Sequence, residues 1–272
     1  MRQKVTDFVV ANGAKLYFER QGAGQSVLFV SGSTGDAGNF TRTAELLADE
    51  FTAVTYDRRG NSRSGRPPGW TTTSVSEQAD DAAGLIKVLG LEPAVVFGAS
   101  AGGPIALDLM IRHSHLMRGG ILQDPAIFSV LPEPMVAYAP RRALVEEALK
   151  TRGPRQAIEA LMRYLNDDSV LAAIPLDILE RMLNNADTIL SIEGPGFAGW
   201  RPRDQDLAAL RVPAVLVIAR DTLPVYKQVT EWLASRLNVE PIVVPGLHAF
   251  YYYRPQDLAD LLRPILRRFA AK

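Results

Sequence analysis

The chain has 272 residues, 47% of them apolar and 22% charged, which provides for a large core and argues against disorder. Thirty basic residues balance thirty acidic ones, so the chain lacks the net positive charge that nucleic-acid or anionic-membrane binding favours. With no cysteine, a disulfide framework, thiolate metal ligands and a cysteine nucleophile are excluded.

The N-terminal stretch Met1–Asp7 has no apolar core of the signal-peptide kind. No apolar run approaches the roughly 18–20 residues of a membrane helix. The expectation is a soluble, cytoplasmic protein with no membrane partner. Val5–Val10, Lys15–Glu19 and Val27–Val30 read as short strands, and Asn12-Gly13 between the first two is a hairpin signal. Strands and helices then alternate. Phe51–Tyr56 is a strand, Val75–Leu89 a helix and Ala94–Phe97 a buried strand; a helix from Ala101 to Arg112 and a strand at Gly120–Leu122 follow. After a break, Ala214–Ile218 and Ile242–Val244 are strands, followed by helices over Val225–Leu237 and Pro255–Phe269. This alternation predicts an α/β class with a mostly parallel sheet covered on both faces.

Within the break, Arg141–Lys150, Pro154–Leu165 and Pro175–Leu190 have helical period and Pro or Gly boundaries. The expected organisation is a core of residues 1–124 and 211–272, with a helical cap of residues 125–210 inserted over the carboxyl edge of the sheet.

The most informative stretch is Gly98-Ala99-Ser100-Ala101-Gly102, a Gly-x-Ser-x-Gly pattern between a strand and a helix. Such a turn strains the serine backbone and requires small neighbours; it points the hydroxyl out at the top of the sheet, beside a helix N-terminus. A glycine-rich phosphate loop is the other possibility, but the Gly-Lys-Ser/Thr ending is missing. Of three histidines, His113 and His115 sit just past the helix after Ser100 and read as surface residues. His248 lies on the loop after the last strand, on the same sheet edge as Ser100, where it can act as base. Two acids could orient it: Asp124 ends the strand after Ser100, and Asp221 ends the next one. The later strand favours Asp221, whereas its place beside Arg220 suits a turn or ion-pair role. Backbone N–H groups of Ala101 and of Gly32 or Ser33 are the candidate oxyanion donors. Phe40, Met135, Tyr138, Phe197 and Trp200 are candidates for an apolar substrate pocket, and each singly also suits ordinary packing. No cofactor is required, and three histidines are too few for a convincing zinc site.

Together these residues resemble the α/β-hydrolase superfamily over essentially the whole chain, including Tyr56–Ser64 as its Asp-x-x-Gly-x-Ser turn. That resemblance implies an eight-stranded, mostly parallel sheet flanked by helices with a helical cap. At closer range, Ser100, Asp124 and Pro245-Gly246-Leu247-His248 ahead of Tyr252 and Pro255 resemble the fungal zearalenone lactonase group and related bacterial hydrolases. In that group the acid follows the strand after the nucleophile, which selects Asp124. The departures are Ser31-Gly32 in place of the superfamily's His-Gly and an aspartate where the lactonases use a glutamate. The implied activity is cleavage of a carboxylic ester or lactone of an apolar small molecule, by a monomer or homodimer. Rivals are an epoxide hydrolase using Asp124 with Tyr251–Tyr253, a carbon–carbon bond hydrolase, a perhydrolase and a non-catalytic binding protein.

Overall fold

The computed structural model describes residues 4–271, with the side chains of residues 134, 135, 137 and 138 outside that description. The first three residues of the Met1–Asp7 stretch therefore lie outside it as well. Eight strands form one sheet, in the order β1-β2-β4-β3-β5-β6-β7-β8. Strands β1 (Val5–Ala11) and β2 (Ala14–Gln21) pair antiparallel across Asn12 and Gly13. Both turn residues have positive φ, 47° and 74°, the conformation that Asn-Gly tolerates and that suits the hairpin twist. β2 also pairs antiparallel with β4 (Thr52–Tyr56). The remaining pairings, which include β3 (Ser26–Val30), β5 (Ala94–Ala99), β6 (Met117–Gln123), β7 (Ala214–Ala219) and β8 (Ile242–Val244), are parallel. Every residue of β4 and β5 is buried, because helices cover both faces of the sheet.

Helices α1 (Thr41–Leu47), α2 (Val75–Val88) and α3 (Gly102–Arg112) precede β6. Ser74 caps α2 by accepting the Glu77 N–H at 3.0 Å. Between β6 and β7 the described residues hold no strand. This stretch contains α4 (Pro134–Arg152), α5 (Pro154–Leu165), α6 (Asp168–Ala173), α7 (Leu176–Asn184), α8 (Ala186–Thr188), α9 (Gly194–Ala198) and α10 (Asp204–Ala209). Helices α11 (Pro224–Leu237) and α12 (Pro255–Ala270) follow. One apolar cluster packs α2, α3 and α11 on one face of the sheet; another packs α1 and α12 on the other. The insertion has an apolar cluster of its own, which includes Ile158, Leu161, Met162 and Ile189. No helix among the described residues is long and apolar enough to cross a membrane.

Two helix expectations are corrected. The helix expected at Arg141–Lys150 starts earlier, at Pro134, because proline fits the first helical turn, and it continues past Pro140 to Arg152. The single helix expected at Pro175–Leu190 is interrupted at Asn185. That side chain donates to the Thr34 carbonyl at 2.6 Å and accepts the Ser62 N–H at 2.6 Å, tying the insertion to the core. A π-helical turn, Ile189–Glu193, follows α8, and such turns are common at functional sites.

Candidate active site

Ser100 stands between β5 and α3 with φ 53°, a left-handed conformation that costs energy for any residue with a Cβ. The turn closes because its neighbours are small. A Cβ on Gly98 would lie 2.6 Å from that of Ala106, and one on Gly102 would lie 2.2 Å from the Val30 carbonyl oxygen. Ser100 is buried, yet it lines a cavity together with His248 and the loop residues Gly32, Ser33 and Thr34. A Cβ on Gly32 would come within 3.1 Å of the Ser100 Cβ and 3.7 Å of its Oγ, so only glycine leaves that approach open.

Asp124, fully buried at the end of β6, also has positive φ, 42°. Its Oδ2 lies 3.1 Å from His248 Nδ1, and its Oδ1 accepts the Ala219 N–H at 3.2 Å. Facing a carboxylate, Nδ1 carries the imidazole proton and leaves Nε2 as the basic nitrogen. Nε2 makes no hydrogen bond and is buried. Tyr226, from the first turn of α11, packs over the imidazole with ring centroids 4.1 Å apart. Thr222 Oγ1 lies 3.4 Å from Nδ1.

Asp221 does not meet His248. It is exposed, and its backbone N–H pairs with the Gly246 carbonyl at 2.9 Å. Nor do Phe40, Phe197 and Trp200, singled out from the sequence, line the cavity. Phe40 is core, stacked 5.3 Å from Phe29. Phe197 and Trp200 pack against the α2/α3/α11 cluster, and Phe197 lies 5.9 Å from the Arg58 guanidinium. Met135 and Tyr138 lie on α4, with side chains outside the described residues. The cavity walls are mainly aliphatic and come from α5, through Ile158, Leu161, Met162 and Leu165, and from Ile189, with Tyr251 and Tyr252 also lining it; burial pushes both phenols up from their ordinary pKa. His113 pairs with Asp80 at 2.6 Å, away from the cavity.

Sequence reading missed two residues. Gln123, fully buried, donates from Nε2 both to Asp124 Oδ2 at 2.7 Å and to the His248 carbonyl at 3.1 Å. It holds the carboxylate and the histidine loop in one register. Gln123→Leu is expected to lower kcat about 10–100-fold, the cost of a lost hydrogen bond to a charged group. Steady-state kinetics on an aryl ester measure the loss.

The second is Arg58, fully buried in the loop after β4. Its Nη1 and Nη2 meet the two carboxylate oxygens of Glu193, in the insertion, at 2.6 and 2.8 Å. Nη2 also donates to the Gly32 carbonyl at 2.9 Å. Asn61 and Gln78 donate to Glu193 at 2.8 and 3.0 Å, completing a buried network 135 residues apart in sequence. A second tie joins Arg181 of α7 to the buried Asp36 at 2.8 Å.

A serine hydroxyl, an imidazole held by a carboxylate and a glycine loop at the carboxyl edge of a parallel sheet are the groups that nucleophilic substitution at a carbonyl requires. Comparison with known proteins agrees with that architecture. The chain is 29% identical over 266 residues to the uncharacterized hydrolase YraK of Bacillus subtilis, covering 94% of each chain. It is 29% identical over 260 residues to the putative carbamate hydrolase RutD of Azorhizobium caulinodans, covering 92% of this chain and 94% of that one. A thermophilic esterase from Thermogutta terrifontis superposes with a TM-score of 0.77 at 26% identity, over 98% of this chain and 99% of that one. The enol-lactonase of Burkholderia xenovorans shares the fold at 16% identity, with a TM-score of 0.79 over 96% and 100% of the two chains. Residues 27–261 match the alpha/beta hydrolase family, and with sheet order, strand–serine–helix turn and inserted helices all in agreement, the chain belongs to that family.

Proposed function

We propose that the protein is a serine hydrolase that cleaves a carboxylic ester or lactone through Ser100, His248 and Asp124. The observation that carries this reading is the shared cavity: a strained Ser100 and the unbonded Nε2 of His248 line it, with Asp124 3.1 Å behind Nδ1. The esterase likeness and the lactonase fold likeness support the same reaction class.

His248 removes the Ser100 proton as Oγ attacks the carbonyl. The bond between Oγ and Nε2 is open in the resting site and tightens when substrate binds, as catalytic hydrogen bonds commonly do. The Ala101 N–H and that of Gly32 or Ser33 hold the oxyanion, each donor contributing roughly 3–4 kcal/mol to transition-state stabilisation. His248 then protonates the leaving group and activates the water that frees the acyl group. The helices between β6 and β7 act as a cap that closes the cavity. Trp200, Phe197 and Phe40 have no place in substrate binding on this reading, since none lines the cavity. Asp124 does not line it either and is held by Gln123, His248 and Ala219, which argues against its use as a nucleophile in epoxide opening.

Ser100→Ala is expected to lower kcat on 4-nitrophenyl butanoate by about 10⁴–10⁶-fold, with the thermal midpoint unchanged within a few degrees. Retained turnover in a folded variant would overturn the assignment.

A further inference from the structure

We propose that the inserted helices position the oxyanion donor: Glu193, acting through the Arg58 guanidinium, fixes the Gly32–Ser33 peptide so that the Ser33 N–H faces the substrate carbonyl at Ser100. This rests on the acyl-enzyme reading above and adds two positioning residues to it, neither of which lines the cavity. In a trans peptide the carbonyl and the following N–H share one plane and point in opposite directions. The only cis bond among the described residues is Glu92–Pro93, so holding the Gly32 carbonyl also aims the Ser33 N–H. Arg58 Nη2 holds that carbonyl at 2.9 Å from a fully buried position, while Gly32 and Ser33 line the cavity with Ser100. With the carbonyl drawn toward Arg58, the N–H is directed to the cavity side. It meets no acceptor among the described residues, as an oxyanion donor requires. A bond accepted by the carbonyl also polarises the peptide and strengthens its N–H as a donor.

The turn's internal bond, from the Gly35 N–H to the Gly32 carbonyl at 3.0 Å, sets its shape but travels with it. Its place is set from outside. The Arg58 backbone N–H bonds the Gly35 carbonyl at 2.9 Å, and the two side-chain anchors both depend on the insertion. Asn185 donates to the Thr34 carbonyl at 2.6 Å. Glu193 sets the direction of Arg58, its two oxygens meeting Nη1 and Nη2 at 2.6 and 2.8 Å. Arg58 Nε is buried without a hydrogen bond, so the guanidinium forgoes one donor in the orientation that reaches Gly32. Glu193 closes the π-helical turn that Ile189 opens, and Ile189 lines the cavity. A substrate seated against Ile189 and the donor that stabilises its transition state are therefore joined through one turn and one guanidinium.

The test is kcat/KM on 4-nitrophenyl butanoate and on its thiono analogue, in which sulfur replaces the carbonyl oxygen. Sulfur accepts hydrogen bonds weakly, so a misplaced oxyanion donor slows the oxygen ester far more than the thiono ester. Arg58→Leu/Glu193→Leu removes the anchor without stranding a charge. It is expected to lower kcat/KM on the oxygen ester about 100-fold and the oxygen-to-thiono ratio about tenfold or more. Asn185→Asp keeps the acceptor for the Ser62 N–H but loses the donor to the Thr34 carbonyl, and gives the same readout if the double variant does not fold. Arg59→Leu/Asp81→Leu is the structural control. It removes a neighbouring buried pair, Nε to Oδ2 at 2.8 Å, that does not touch the turn, and its ratio is expected to stay within about twofold of wild type. A ratio that falls less than about threefold in folded Arg58→Leu/Glu193→Leu, or equally in the control, would overturn the proposal while leaving the serine mechanism standing. Absence of both ester turnover and an organophosphate adduct in the wild type would overturn the mechanism and the proposal with it.

Discussion

Asp124→Asn is expected to lower kcat about 10⁴-fold, whereas Asp221→Asn stays within about twofold of wild type. The two residues occupy equivalent ends of neighbouring strands, so the contrast comes from their surroundings. Asp124 is fully buried, accepts from His248, Gln123 and Ala219, and has no access to solvent. Converting it to an amide places an N–H donor where the site needs an acceptor, or turns the imidazole to its other tautomer with the proton facing Ser100. Either outcome removes the base. Asp221 is exposed and makes only a backbone contact in this region, so its charge is screened by water. Steady-state kinetics on an aryl ester separates the two. Equal losses would place the orienting acid wrongly.

The second large effect is on stability. Arg58→Leu is expected to destabilise the protein by roughly 3–5 kcal/mol, because it strands the Glu193 carboxylate in the interior. For a chain of this size that corresponds to a fall in thermal midpoint on the order of 10 °C. Arg58 and Glu193 are 1% and 3% exposed, so water cannot replace the lost partner. Removing both charges, in Arg58→Leu/Glu193→Leu, is expected to recover at least half of the loss, since a buried pair's attraction is offset by its desolvation cost. Recovery stays partial because Asn61 and Gln78 lose an acceptor and the Gly32 carbonyl a donor. Thermal melts of the three variants test this. A double variant no more stable than Arg58→Leu would contradict it.

What was legible in the sequence was local. The hairpin at Asn12-Gly13 and the turn at Ser100 are dictated by neighbours one or two positions away: two positive φ values in the first, small side chains in the second. The choice between Asp124 and Asp221 was not local. It depends on the φ of 42° at Asp124 and on donors from β7 and the His248 loop, which arrive only when the sheet assembles. Gln123 was invisible for the same reason, its partners lying beside it on one side and 125 residues away on the other. Tyr56–Ser64 matched the superfamily's Asp-x-x-Gly-x-Ser turn, but nothing in it announced Glu193. Phe40, Phe197 and Trp200 drew attention as large apolar surfaces, yet size alone puts such rings in cores as readily as in sites. Phe40 and Trp200 went to packing, while the plain amphipathic pattern of α5 supplied the wall.

The most direct test of the central claim, an activated serine at position 100, is intact mass after exposure to diethyl 4-nitrophenyl phosphate, for wild type and Ser100→Ala side by side. The account predicts a single diethylphosphoryl adduct on the wild type and none on the variant. An unmodified wild type of native fold, or an adduct that persists in Ser100→Ala, would contradict it.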